Sequence, residues 1–385
     1  MANSTVLARP AKPRPDFPLF PHRNGRWAKK VRAKFCYFGK WSDDPKGEAA
    51  VTLWLDQKDD LLAGRTPRAN REGLTVRDLC NRFLTAKEQQ RDAGDITTRS
   101  FADYFATCKR LVESFGANRL VDDLAADDFE ALRASLAKQY GVHRLGNEVQ
   151  RTRVVCKYAL DAGLIDKPIR FGPTFKKPAT RIMRAHRQKN GKRMFEAAEL
   201  RTIIDKANQP LKAMILLGIN CGFGNHDCGT LPKSALDLKA GWVTFPRPKT
   251  AIERRCPLWP ETVKALKETI AKRPQPADAA DEALAFITKY GGSWAKNTST
   301  NPVSQEMRKV LVALKFHRPG VGFYALRHTF ETIAGESRDQ VAVNHIMGHA
   351  DNTMAGVYRE RVSDERLRDV TNHVRKWLFP KARKK

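Results

Sequence analysis

The chain has little that would tie it together covalently or hold it in a membrane. Its seven cysteines, at 36, 80, 108, 156, 221, 228 and 256, are odd in number, scattered and never spaced C-x-x-C. This argues against a paired disulfide framework and the usual zinc spacings, and makes a reducing compartment the default. No run approaches 18 apolar residues, so no membrane span is expected. The first residues carry charge but no apolar stretch, so no secretory signal is expected and a cytoplasmic location follows by elimination. Acid is also missing where base is dense. Residues 1–40 hold ten Lys/Arg against one acid, Asp16; residues 167–193 hold ten and residues 375–385 hold six, with no acid in either.

What is present is positive charge: 70 Lys+Arg against 42 Asp+Glu, a formal +28 over 385 residues. A folded chain this basic usually meets a polyanion. Three separate basic blocks go beyond a solubilising tail and point to nucleic acid, where neutralised phosphates release counterions. The length suits two or three domains.

The pattern predicts a mainly α protein with small β elements, in several domains. Residues 1–16 are Pro- and Arg-rich and read as a disordered basic N-terminus. Residues 17–70 read as a small basic unit: a strand over 25–34, a second, aromatic-rich strand over 35–41, and a helix from Gly47 to Leu62. Basic strands followed by a helix suit a DNA-reading β-ribbon. A short linker over 66–73 leads to Thr75, a good N-cap, and to helices running to Lys87 and over 97–115, 126–139 and 143–163. Residues 74–166 thus form a helical domain. Residues 167–193, with Pro168, Pro173, Pro178 and ten cations, read as a basic linker rather than a packed element. From 194 to 385 the pattern is mostly helical, with a β-hairpin over 241–248 and 253–259, a last helix over 363–379 and a basic tail.

One constellation near the C-terminus carries chemistry. Tyr324-Ala325-Leu326-Arg327-His328 is followed by Met347-Gly348-His349 and then by Tyr358; Arg327 precedes His349 by 22 positions, and His349 precedes Tyr358 by 9. This resembles the second active-site box of the tyrosine recombinases, the phage integrase family. The resemblance covers about 195–385, and reaches 74–165 only by position and helicity. The unit at 17–70 is similar in style to the arm-binding domains of some integrases. The resemblance implies a catalytic domain of mixed, mostly α structure, and a helical domain that clamps one side of the DNA.

It also implies a reaction. Tyr358 would be the nucleophile that becomes a 3′-phosphotyrosine, Arg327 would hold the scissile phosphate, and His349 would donate a hydrogen bond to a phosphate oxygen. Lys249, in the expected hairpin turn, would protonate the leaving 5′-oxygen, and His328 would be structural. No metal, cofactor or ATP would be needed. The partners would be duplex DNA carrying paired recombination sites and further copies of the chain in a homo-tetramer, with no membrane. In the family the segment beyond the tyrosine packs on a neighbouring subunit; the helix pattern here equally allows docking in cis.

Two positions depart from the family pattern. The first box, Thr-Gly-Leu-Arg followed by two variable residues, Glu and Leu, is matched by Cys221-Gly222-Phe223-Gly224-Asn225-His226-Asp227-Cys228, which puts Gly224 at the first catalytic arginine. Losing one such charge typically costs about 3–4 kcal/mol. Either the enzyme is impaired or another cation fills the gap, with His226, Arg247, Arg254 and Arg255 as candidates. Tyr324 stands where the family usually has His or Lys; a phenol can still donate to a phosphate oxygen. Two other readings stay open: a non-catalytic DNA-binding relative, and a type IB topoisomerase sharing the same chemistry.

Overall fold

The computed structural model describes residues 10–64, 67, 73–296, 300–351 and 353–380. The expectations for residues 1–9, for most of the 66–73 linker, for Asn352 and for the tail 381–385 lie outside the described residues. The chain divides into two compact units, 1–186 and 187–385.

The first unit contains two hydrophobic cores. In the first core, strands β1 (Phe20–His22), β2 (Arg26–Val31) and β3 (Lys34–Lys40) form an antiparallel meander, followed by helix α1 (Glu48–Leu62). The two expected strands are β2 and β3. They are joined through Arg32 and Ala33, both at positive φ (48° and 66°), the backbone of a tight hairpin turn that keeps the strand twist. Strand β1 is a third strand of this ββ(β)α unit: three residues around Pro21, at the sheet edge where proline is tolerated. Strand alternation divides the aromatics. Trp27 and Phe38 turn inward to the core, with the Phe38 ring edge-on to Trp54 of α1 at 5.5 Å. Phe35 and Tyr37 stay 48% and 38% exposed, with the His22 ring 5.0 and 5.3 Å from theirs.

The second core is the expected helical domain: α2 (Val76–Asp92), α3 (Thr98–Phe115), α4 (Ala126–Gln139) and α5 (Val142–Asp161). Thr75 caps α2 by accepting the Asp78 amide at 3.1 Å, and Thr97 caps α3 in the same way from Ser100. Phe83, Phe129 and Val149 are fully buried between these helices.

Residues 167–193 correct the sequence reading. Phe171 and Phe175 stack at 5.7 Å on each other and lie 4.8 and 5.3 Å from the Phe129 ring. Phe175 is fully buried, and Arg153 donates to its carbonyl at 2.7 Å while lying 4.4 Å over Phe171. Beyond them, α6 (Thr180–Lys189) is helical with no buried residue. The prolines rule out a regular helix before 178 but not packing, and the cations drew attention from two phenylalanines at a spacing of four. Phe175→Ala is therefore expected to cost about 3–5 kcal/mol, the usual result of emptying a buried phenyl site, measured as a lower urea midpoint; an unchanged midpoint would restore the linker reading.

The second unit contains α7 (Ala197–Lys206), α8 (Leu211–Cys221), α9 (Asn225–Gly229), a three-stranded sheet of β4 (Leu236–Asp237), β5 (Trp242–Thr244) and β6 (Arg255–Pro257), then α10 (Pro260–Ala271), α11 (Pro302–Ala313), α12 (Ala325–Gly335), α13 (Gln340–Met347), α14 (Met354–Val357) and α15 (Asp364–Leu378). Helix α8 is apolar on every side and nearly wholly buried, which makes it the axis of the unit. Helix α12 packs along it through Leu326 and Phe330, and so brings Arg327 to the C-terminal end of α8. Helix α15 docks on its own unit: Leu367, Val370, Val374 and Leu378 enter the same core, and Trp259 Nε1 donates to the Thr371 carbonyl at 3.0 Å.

Candidate active site

The site is built where two helices end. Gly222 closes α8 and Gly348 closes α13, both in the left-handed region at φ +64° and +61° that glycine enters without strain. These turns expose carbonyls that the helices no longer use. Arg327, 4% exposed, fills the space between them: Nη1 donates to the Gly222 carbonyl and Nη2 to the Met347 carbonyl, each at 2.6 Å. Nη2 also lies 2.8 Å from His349 Nε2. Burial pulls the Arg327 pKa down to about 10, with Arg247 and Arg254 pushing the same way against Tyr324 and Asp227. The group remains a cation at neutral pH.

A guanidinium only donates, so His349 Nε2 is the acceptor of that contact and the ring proton sits on Nδ1, which faces Glu331 Oε2 at 3.9 Å. Burial first, then Arg327, lowers the His349 pKa. His328 and His345 are lowered too, each chiefly by burial. Between these depressed values and the ordinary imidazole value of about 6.5 the unfolded chain binds more protons than the folded one. The stability is therefore complete above about pH 6.5 and declines as the pH falls through that window. A lower urea midpoint at about pH 5.5 than at about pH 7.5 is expected, with a flatter profile for His328→Asn/His349→Asn; identical profiles would show that the rings do not titrate with folding.

Beside Arg327 lies a second buried cation. Arg254, from the hairpin, stacks 4.0 Å over the Phe223 ring, and its Nε donates to the Phe245 carbonyl at 2.7 Å. Its Nη2 lies 3.0 Å from Asp227 Oδ1, an ion pair without hydrogen-bond alignment, since both terminal nitrogens lack a hydrogen-bond partner. Asp227 Oδ2 accepts the Gly224 amide at 2.6 Å. The carboxylate thus caps α9 and holds Arg254, which makes it a residue of the site that the sequence reading named only as part of a run. The signal was there: Asp227 stands where the first box has its acid.

The two departures from the family pattern are neighbours. A Cβ on Gly224 would lie 3.4 Å from the Tyr324 ring and 3.3 Å from Asp227 Oδ2. Tyr324, 49% exposed and edge-on to His328 at 5.5 Å, covers the place where a side chain at 224 would leave the backbone. The absent arginine and the replaced His/Lys are one local change.

The remaining expected residues stand apart. Lys249 is exposed at the tip of the hairpin between β5 and β6. Tyr358, at the end of α14, is 76% exposed. Its segment is held by Asp351, which accepts from Thr353 Oγ1 at 2.6 Å and Arg359 at 2.8 Å; these bonds lower the carboxyl pKa to about 2. A cavity of about 370 Å³ opens between His349 and this segment, lined by His345, Asp351, Gly356 and Arg359. Among the described residues, neither Tyr358 nor Lys249 bonds to Arg327 or His349, and no three His, Cys, Asp or Glu side chains converge as metal ligands would.

Residues 188–365 match the phage integrase family. Among solved structures, a lambda integrase tetramer bound to a Holliday junction aligns with a TM-score of 0.56 at 16% identity, over 91% of this chain and 98% of that one. A Tn1549 transposon integrase in complex with a circular intermediate DNA aligns with a TM-score of 0.57 at 15% identity, over 77% and 98%. No curated protein matches the chain. The fold is that of these integrases, and the phage integrase family match takes in the whole Arg327–His349–Tyr358 segment.

Proposed function

We propose that the protein is a site-specific DNA recombinase that cuts and rejoins duplex DNA through a 3′-phosphotyrosine, with no metal ion or ATP in the chemistry. The observation that carries this reading is the Arg327–His349 pair, held by the carbonyls of two helix ends. Three of the five guanidinium N–H bonds are taken by Gly222, Met347 and His349. One Nη1 hydrogen and the Nε hydrogen remain, on opposite edges of the guanidinium, so a phosphate oxygen can take one of them in a fixed direction.

In the step proposed, Tyr358 Oη bonds to phosphorus as the bond from phosphorus to the 5′-oxygen breaks. The phenolic proton is released to solvent and the Lys249 ammonium supplies one to the leaving oxygen. No electron is transferred. The phosphotyrosine keeps the energy of the cleaved bond, so the 5′-hydroxyl of a partner strand reverses the step without a nucleotide. Tyr358 reaches the phosphate once DNA is bound, across the cavity beside His349. Paired sites and two strand exchanges call for four protomers, the number in the lambda integrase tetramer. The sheet face carrying Phe20, His22, Lys30, Phe35 and Tyr37, together with the basic 167–193 segment, supplies further DNA contacts.

The test uses a nicked duplex selected for tight binding from a random pool. Cleavage near the nick releases a short 5′-hydroxyl fragment and strands the covalent product, which survives denaturation. A nucleotide-bearing peptide containing Tyr358 is expected. Tight binding with no adduct returns the non-catalytic relative; relaxation of supercoils without site preference returns the topoisomerase.

A further inference from the structure

Gly224 leaves the catalytic unit one phosphate-binding cation short, and four neighbours could supply it. Three are unsuited by their surroundings. Arg254 is buried to 2% exposure, against Phe223 and between Asp227 and the Phe245 carbonyl, with no surface to offer DNA. Arg255 is paired with Asp364 and lies 3.8 Å over the Trp242 ring. His226 is exposed, and among the described residues no bond ties it to the Arg327 cluster.

Arg247 is placed differently. Its backbone is fixed by the hairpin: the amide donates to the Ile252 carbonyl at 2.8 Å, and its carbonyl accepts from Thr250 and Ala251 at 3.0 and 2.8 Å. Its side chain is half-buried and crosses Gly348 closely; a Cβ there would lie 3.0 Å from Arg247 Cβ and 3.3 Å from Cδ. Nη1 then donates to the Gly348 carbonyl at 3.3 Å. The same short turn holds Arg327 through the residues on either side, Met347 and His349. Two arginines from different elements therefore flank one three-residue turn.

We infer that Arg247 is a catalytic residue of this protein, contacting a non-bridging oxygen of the scissile phosphate in place of an arginine at position 224. This rests on the recombinase reading above. Two guanidinium groups this close repel each other, and Arg247 is, after burial, the largest influence lowering the pKa of Arg327. The acid nearest in the chemistry, Asp227, is already committed to Arg254 and the Gly224 amide. A phosphodiester relieves the repulsion, and more so as negative charge gathers on the phosphorane oxygens. Gly348 serves the arrangement twice: it turns the chain at the end of α13, and its missing side chain lets Arg247 through.

The experiment measures single-turnover adduct formation on the selected nicked duplex, with the full chain. Arg247→Ala is expected to slow the adduct by about 100- to 1000-fold, the scale for one preorganised phosphate donor, with little change in affinity for the duplex. Arg247→Lys should recover part of the rate, since an ammonium restores charge without the fork. The same duplex with a methylphosphonate at the scissile position separates chemistry from packing. There the charge that Arg247 neutralises is gone, so the Ala variant should approach the unaltered protein. An equally large defect on that substrate would make Arg247 merely structural and overturn the inference, as would an Ala variant that cleaves the ordinary duplex at full rate. No adduct from the unaltered protein overturns the recombinase reading, and this inference with it.

Discussion

Tyr358→Phe is expected to lose the covalent adduct altogether, a fall of at least about 10⁴-fold in single-turnover rate, as when a nucleophile is removed. Nothing else should change. The Tyr358 side chain is 76% exposed and its hydroxyl makes no hydrogen bond among the described residues, so neither the urea midpoint nor the affinity for the selected duplex should move. This separates the variant from one that merely fails to fold. Tyr324→Phe is the matched control. That phenol is 49% exposed and lies against Gly224, and in the proposed reaction it donates to a phosphate oxygen rather than attacking. It should retain the adduct at a reduced rate. If Tyr358→Phe still forms an adduct, the nucleophile is another residue and the spacing from His349 has misled.

How much of this could be read from the chain follows from what each residue answers to. Thr75 and Thr97 announce their helices because an N-cap is a local interaction, settled by a side chain and an amide three residues on. The hairpin around Lys249 and the amphipathic α15 are legible for the same reason, since periodicity and turn residues suffice. The packing of Phe171 and Phe175 was not, because their partner Phe129 is more than forty positions away and the segment's charge and prolines spoke for a linker. In the site, Arg327 and His349 were found by spacing. The Gly222 and Met347 carbonyls that hold Arg327 belong to backbone geometry, which no residue type advertises. Nor could the chain say which cation stands near the Gly224 position. Arg247, Arg254 and Arg255 lie within nine positions in one basic hairpin, and only packing buries one, pairs another and leaves the third at the Gly348 turn.

Arg327 carries the other large effect, and it mixes two roles that a pair of variants can separate. Arg327→Ala removes donors from the Gly222 and Met347 carbonyls at once. Buried acceptors left without partners cost about 1–3 kcal/mol each, so this variant should unfold at lower urea as well as fail to cleave. Arg327→Lys keeps the charge and most of the stem. Its single ammonium can satisfy one carbonyl or face the phosphate, but it cannot bridge both helix ends and still present an N–H bond to a phosphate oxygen. Its urea midpoint should lie between those of the Ala variant and the unaltered chain. Its adduct rate should nonetheless fall by about 10³-fold, because the transition state depends on the direction of the donors as much as on the charge. A lysine variant that is destabilised yet cleaves at the original rate would mean that Arg327 ties α8 to α13 and leaves the phosphate to other groups. A variant that is stable yet inactive would place the guanidinium on the phosphate itself.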